Sequence, residues 1–313
     1  MTMRAPIALF VYNRPVHTRR TVEALLKNAL AKESDLIIFS DASKNPEAAE
    51  AVSNVREYIR TITGFKSMNI VERETNFGLA RSIIEGVTML CKEYGRVIVL
   101  EDDLITSPHF LQFMNDALDT YSNEDKVMHI SGSTYPIGHM KDETFFLRIP
   151  LCWGWATWDR AWRHFVKSDE VMLKFDPEMR RDFTFDHTYH YWKQLELNQK
   201  GSINTWFIYW YAALFLKGGL ALFPGKSLVR NIGMDGSGVH SGIDHDYDIE
   251  PSASAVNVFP ILLAESEEAV SKHETFFRRN MPRHPLHTRI YNKIVRVIKK
   301  LGLHIRIAKE GKK

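Results

Sequence analysis

Val97-Ile98-Val99-Leu100-Glu101-Asp102-Asp103 is an apolar run that stops in three consecutive acids. An uninterrupted apolar run of this kind reads as a strand buried on both faces. Three carboxylates at its end repel one another and cannot be buried cheaply, so a cation normally offsets them. Mg2+ and Mn2+ take hard oxygen ligands and keep waters or substrate phosphates for the rest of their shell. One or two carboxylates on a rigid strand terminus meet that demand. A lone Asp-Asp pair is more often a solvated acidic turn, so the placement of this cluster decides its meaning.

Upstream, strand-like and helix-like segments alternate. Ile7 to Tyr12 is a short apolar run closed by Asn13-Arg14, and Val22, Leu25, Leu26 and Ala29 follow at helical spacing. Asp35 to Ser40 is a second strand ending at Asp41, and Pro46 opens a second helix, its fixed φ suiting a first turn. Met68 to Val71 is a third strand, and Leu79, Ile83, Val87 and Leu90 mark one face of the next helix. Buried strands alternating with helices predict an α/β fold: a Rossmann-like, mostly parallel sheet flanked by helices. Ligands bind such sheets beyond the carboxyl ends of the strands. Those ends here carry Asn13, Arg14, Asp41 and the acids, which makes one polar rim and favours a metal–nucleotide site.

Downstream the character changes. Leu151 to Trp162 holds four tryptophans, a second aromatic block runs from Tyr189 to Tyr211, and a glycine-rich loop spans Gly233 to His240. No repeat or low-complexity linker separates the halves, so residues 1–270 are expected to form one domain, with 1–135 as donor half and 136–270 as acceptor half. Two cysteines cannot build a disulfide framework or a four-thiolate metal site. No secretory signal is visible, and the apolar stretch Trp206 to Leu216 is too short to span a bilayer. A cytoplasmic protein is expected. Residues 271–313 carry 13 Lys+Arg against 2 Asp+Glu, so the acidic excess lies in residues 1–270. Ile290, Ile294, Val297, Ile298 and Leu301 recur at helical spacing among these basic residues, which predicts an amphipathic helix suited to an anionic membrane face, or else packed on the domain. Nucleic acid is not an expected partner, since the acidic remainder offers no broad phosphate-binding face.

Several segments together resemble the GT-A glycosyltransferases related to N-acetylglucosaminyltransferase I, and more closely their bacterial relatives in surface-polysaccharide synthesis. The resemblance lies in Val11 to Pro15, Asn76 to Arg81, Val97 to Leu104 with Ser107 to Phe110, Trp153 to Trp158, and Asn231 to Gly233 running on to His240. It implies a GT-A fold and transfer of a sugar from a nucleotide donor, such as a UDP-sugar, to a saccharide or lipid-linked acceptor with Mn2+ or Mg2+. It further implies that Asn13, Arg14 and Asp41 surround the nucleoside, Asp41 accepting a hydrogen bond. Asn76 and Gly78 would close over the nucleoside, and Arg81 would approach the phosphates. Glu101 and Asp102 would contact ribose and donor sugar, Asp103 would hold the metal, and His240 would add a metal or phosphate contact.

An inverting transferase also needs a carboxylate to take the acceptor's proton. The family pattern implies an Asp just after a Trp, and this chain has Phe207 after Trp206. Asp235 and Asp159 are the remaining candidates, with Asp235 preferred. Aromatic faces can stack on the apolar face of a sugar ring or simply fill a core. Trp153, Gly154, Trp155 and Trp206 are expected at the acceptor site, with Trp158 and Trp162 in the core. Two other readings compete. A sugar nucleotidyltransferase would need a glycine-rich, lysine-bearing loop after the first strand, and Tyr12-Asn13-Arg14-Pro15 is not one. A non-catalytic sugar or nucleotide binder on a transferase scaffold is favoured by Phe207 and opposed by the intact acidic cluster.

Overall fold

Successive strand residues point to opposite faces of a sheet, so an uninterrupted apolar strand needs cover on both sides. In the computed structural model, which describes residues 4–185, 189–236 and 247–280, β1 (Ile7–Val11), β2 (Asp35–Ser40), β3 (Ser67–Glu72) and β4 (Arg96–Glu101) meet that need. Ala8, Phe10, Ile37 and Phe39 enter one core layer, while Ile7, Leu9, Leu36 and Ile38 enter the other. The four strands are parallel neighbours in the order β3-β2-β1-β4. After β5 (Leu104–Thr106) come β6 (Val127–Ser131), β7 (Thr144–Leu147), β8 (Trp155–Trp158), β9 (Leu220–Pro224) and β10 (Val229–Asn231). The main sheet has eight strands in the order β3-β2-β1-β4-β8-β6-β9-β7, and β5 pairs antiparallel with β10 beside it.

Helices α1 (Pro15–Leu26), α2 (Ala49–Ile59), α3 (Gly78–Tyr94), α4 (Phe110–Thr120), α5 (Asp159–Trp162), α6 (Pro177–Phe183), α7 (Tyr191–Gln199), α8 (Phe207–Leu216) and α9 (Glu267–Asn280) complete the described chain. The α/β class, the mostly parallel first half and the cover on both faces are as expected. Pro46 opens a short 3-10 turn, Pro46–Ala48, before α2, with the Asn45 side chain accepting from Ala48 N–H. Leu79 does not join the core face of α3; it is 43% exposed. Within the tryptophan run, Trp155 and Trp158 lie on β8, antiparallel between β4 and β6, and Trp162 closes α5.

The expected boundary at residue 270 falls inside α9, whose His273, Phe276 and Phe277 are buried against Tyr135 and Phe145. The described residues up to Arg278 form one compact unit. The basic amphipathic stretch 286–313 lies outside the described residues.

Two imidazoles are sealed in the core. His129 donates from Nε2 to the Leu151 carbonyl (3.1 Å), and Trp210 Nε1–H donates to His129 Nδ1 (3.1 Å). His273 Nδ1–H donates to the Ala269 carbonyl at 2.7 Å. Burial pushes His129 down to about 3 and His273 down to about 4, against the pull of the two carbonyls. Both return to about 6.5 on unfolding. The unfolded chain therefore binds more protons below that pH, and native stability falls as pH drops from about 6.5 toward 4. Each ring contributes up to about 1.4 kcal/mol per pH unit. Urea unfolding of His273→Phe should show a pH slope shallower by roughly that amount than the native chain; equal slopes would mean the ring takes its proton in the folded state.

Candidate active site

Parallel pairing of β1, β2 and β4 sets Val11, Ser40 and Glu101 along one edge of the sheet. The residues that follow them meet there. Two of the three acids share one cation: Arg14 Nη2 donates to Asp103 Oδ2 at 2.9 Å and to Asp102 Oδ1. Burial pushes the carboxyls of Glu101 and Asp102 above the ordinary carboxylate range, and the neighbouring acids add to this while Arg14 opposes it. Burial disfavours the charge on Arg14 itself, but Asp102 and Asp103 outweigh it and hold the guanidinium firmly protonated.

The β5–β10 pair brings a second segment onto the cluster. Asn231 lies opposite Leu104, and Ile232 N–H donates to the Asp103 carbonyl (2.9 Å). Asn231 Oδ1 accepts from Gly233 N–H at 2.7 Å. Only glycine fits there, since a Cβ on Gly233 would lie 2.0 Å from Asp103 Oδ2 and 3.0 Å from Arg14 Nη1.

A cavity of about 180 Å³ opens on this edge, lined by Glu101, Asp103, Trp153, Asn204, Phe207 and Asn231, with Leu79 and Ala80 at the start of α3. Trp206 also lines it, although it is only 3% exposed and stacks on Trp155 with ring centroids 5.2 Å apart. The register of β8 explains which tryptophan reaches this edge. Val99 pairs with Trp155 and Arg96 with Trp158, so Trp153 and Gly154 sit beside the acids. Gly154 has φ +66, and a Cβ there would meet Val229 at 2.9 Å, so it shapes the turn and offers no contact surface of its own.

Four expected site residues are placed elsewhere or otherwise. Asp159 lies at the opposite end of β4, roughly 16 Å away for five extended residues; its N–H donates to Gly95 and its carboxylate pairs with Arg163 at 3.0 Å. It is not part of this rim. Trp155, expected at the acceptor, is 1% exposed and packed among His129, Trp162, Trp206 and Trp210. Asp41 does accept hydrogen bonds, but from the chain: Oδ1 from Ala42 and Phe77 N–H, Oδ2 from Gly78 N–H and Asn76 Nδ2. It fastens the Asn76-Phe77-Gly78 turn to the end of β2. Arg81 lies over the Phe77 ring (3.7 Å), with Arg73 also against that ring (4.5 Å), and pairs with Glu85 at 2.7 Å.

Asn13 is half-buried in the turn between β1 and α1. Asp235, with its side chain 48% exposed, meets His17 Nε2 at 3.1 Å; neither lines the cavity. His240 lies outside the described residues. His17 went unread in the sequence, though its place three residues after Arg14, one helical turn on, was a usable signal. Asn204 and Thr205 also reach the cavity, and their place just before Trp206-Phe207, the stretch matching the family's base position, was the signal for them. Among the described residues, no group of three or more His, Cys, Asp or Glu is arranged to hold a metal.

Residues 7–221, more than half of the chain, match the family described as glycosyl transferase family 2. The chain belongs to this family. It is a glycosyltransferase that uses a nucleotide-sugar donor, and its mostly parallel sheet between helices is the GT-A arrangement. No curated protein matches the chain. Solved structures with some likeness include the mannosyltransferase PcManGT from Pyrobaculum calidifontis in complex with GDP-Man and Mn2+. It is 11% identical over 69% of this chain and 70% of that one, with a TM-score of 0.38. Staphylococcus aureus TarS is 17% identical over 45% of this chain and 24% of its own, with a TM-score of 0.31. A UDP-glucose pyrophosphorylase complexed with UDP-glucose is 10% identical over 70% of this chain and 90% of that one, with a TM-score of 0.35. At such scores these likenesses carry no argument about the ligands of this glycosyltransferase.

The two tryptophans differ in the stability they carry. Trp155→Ala should cost about 3–5 kcal/mol, the usual range for truncating a fully buried aromatic. Trp153→Ala, at a partly buried cavity wall, should cost less stability. A chemical-denaturation comparison in which the two variants lose the same stability would contradict this assignment.

Proposed function

We propose that this family 2 glycosyltransferase is metal-dependent and inverting, moving sugar from a UDP-type donor to a saccharide or lipid-linked acceptor in surface-polysaccharide synthesis. The observation that carries the reading is the shared cavity of Glu101, Asp103 and Trp153 at the carboxyl edge of the sheet. Carboxylate and amide oxygens are a hard donor set suited to Mn2+ or Mg2+. Glu101, Asp103 and Asn231 supply such groups from one side only, which fits an ion that completes its shell with water and donor phosphates. When bound, the ion would neutralise charge on the leaving diphosphate.

The chain's own residues divide the remaining work. Asp103 would hold the ion, with His240 as the further contact that the sequence resemblance implies. The Asn76-Phe77-Gly78 turn, fastened by Asp41, bounds the nucleoside side near Asn13. Trp153 offers an aromatic face to the acceptor, and Trp206 lines the same cavity. The position that the family pattern implies for the base is the apolar Phe207 on the cavity wall, so the acceptor proton falls to Asp235, which pairs with His17 outside the cavity lining and would have to meet the acceptor at its mouth.

No helix among the described residues is long and apolar enough to cross a membrane. The basic composition of residues 286–313 supports a peripheral contact with an anionic surface.

Asp103→Ala should abolish transfer and metal-dependent nucleotide binding while circular dichroism stays native. Full transfer by that variant, or by the native chain with excess chelator, would remove the metal mechanism. Asp235→Asn should lower kcat by at least about 100-fold with little change in donor affinity, the scale of a lost general base. An unchanged kcat would take the base away from Asp235.

A further inference from the structure

Two features of the rim are not explained by catalysis of transfer alone. The first is that the acids already have a cation, Arg14, whose Nη2 is shared between Asp102 and Asp103. The second is that the loop over this pair is built tightly onto it. Gly233 leaves no room for a side chain against Asp103 Oδ2 and Arg14 Nη1, and Ile232 N–H holds the loop to the Asp103 carbonyl. Arg14 is anchored by its own element, following β1 directly and heading α1, where its carbonyl accepts from Thr18 N–H and Thr18 Oγ1 at 2.9 Å each. Its guanidinium is therefore a tethered counter-ion, mostly withdrawn from solvent, on the carboxylate expected to hold the metal.

We infer that Arg14 competes with the divalent cation for Asp103, so that metal binds the free protein weakly and binds well only when a nucleoside diphosphate gives Arg14 another anion to pair with. The inference rests on the metal-dependent reading above and adds to it an order of affinity. Two cations cannot share one carboxylate oxygen without repulsion, so whichever binds Asp103 weakens the other. A guanidinium pairs readily with phosphate oxygens in its fork geometry. A diphosphate drawing Arg14 away would free Asp103 for the ion, and the ion would in turn draw in the diphosphate. Such coupling is reciprocal by linkage. It would also keep an acidic cluster from capturing cations when no donor is present.

Other cations on the rim do not take this part. Arg81 is engaged by Phe77 and Glu85, and Arg73 lies against the same ring and pairs with Glu85 at 3.5 Å. Arg56 donates to the Arg73 carbonyl at 2.7 Å and to the Asp41 carbonyl. None of these three contacts the acids.

The test is titration of the full chain with Mn2+ alone, followed by paramagnetic resonance of the free ion, then again with saturating UDP. Arg14→Gln should bind Mn2+ alone at least about tenfold more tightly than the native chain, and UDP should raise its Mn2+ affinity by a smaller factor. Arg14→Lys, which keeps the charge but loses the fork, should fall between them and guards against a folding defect in the glutamine variant. Arg81→Gln should leave the affinity for Mn2+ alone unchanged. Equal Mn2+ affinity in Arg14→Gln and the native chain, or an equal gain in Arg81→Gln, would overturn the inference. A native chain that binds no Mn2+ with or without UDP would instead overturn the metal-dependent reading on which it rests.

Discussion

The arrangement depends on one electrostatic constraint: three carboxylates at the end of a buried strand need positive charge beside them. Glu101 and Asp102 sit where water cannot solvate them well, and burial moves both toward their neutral forms. Arg14 resists this, and it can do so because β1 is the parallel neighbour of β4 and the two strands end at the same edge. Removing one partner of such a pair leaves an uncompensated buried charge, a costly change in most proteins. The β5–β10 pairing then lays Asn231 and Gly233 onto the same cluster. Sheet order, charge and loop placement are thus consequences of each other.

The aromatic half answers a different requirement. β8 runs antiparallel through the middle of the sheet and carries Trp155 into a stack with His129, Trp206 and Trp210. Packing of this density fixes the start of β8, and so fixes Trp153 beside the acids. The core tryptophans act on the site through position. His129, sealed in this stack and bonded by Trp210, belongs to the same scaffold.

Much of this was legible from residues alone. The parallel strands could be read because each is a continuous apolar run, and the rim because each run stops at a polar residue. The tryptophan segment shows a first limit: its residues left core and acceptor roles open, and the pairing of β8 with β4 and β6 is what buries Trp155 while leaving Trp153 at the cavity. Asp41 illustrates a second limit. A carboxylate at a strand end looks open to ligand, and only the fold reveals four backbone and side-chain donors already directed at it. Asp159 illustrates a third, since nearness to a motif in sequence says nothing about which end of an antiparallel strand a residue occupies.

The most direct test of the account is the position of the metal. Crystals grown with Mn2+ and UDP, examined at a wavelength where manganese scatters anomalously, locate the ion without reference to activity. The expected result is an anomalous peak in bonding contact with an Asp103 carboxylate oxygen, with diphosphate oxygens on its far side and the Arg14 guanidinium turned away from Asp103. A peak bound elsewhere, or UDP seated in the cavity with Arg14 still paired to both acids and no ion present, would contradict it.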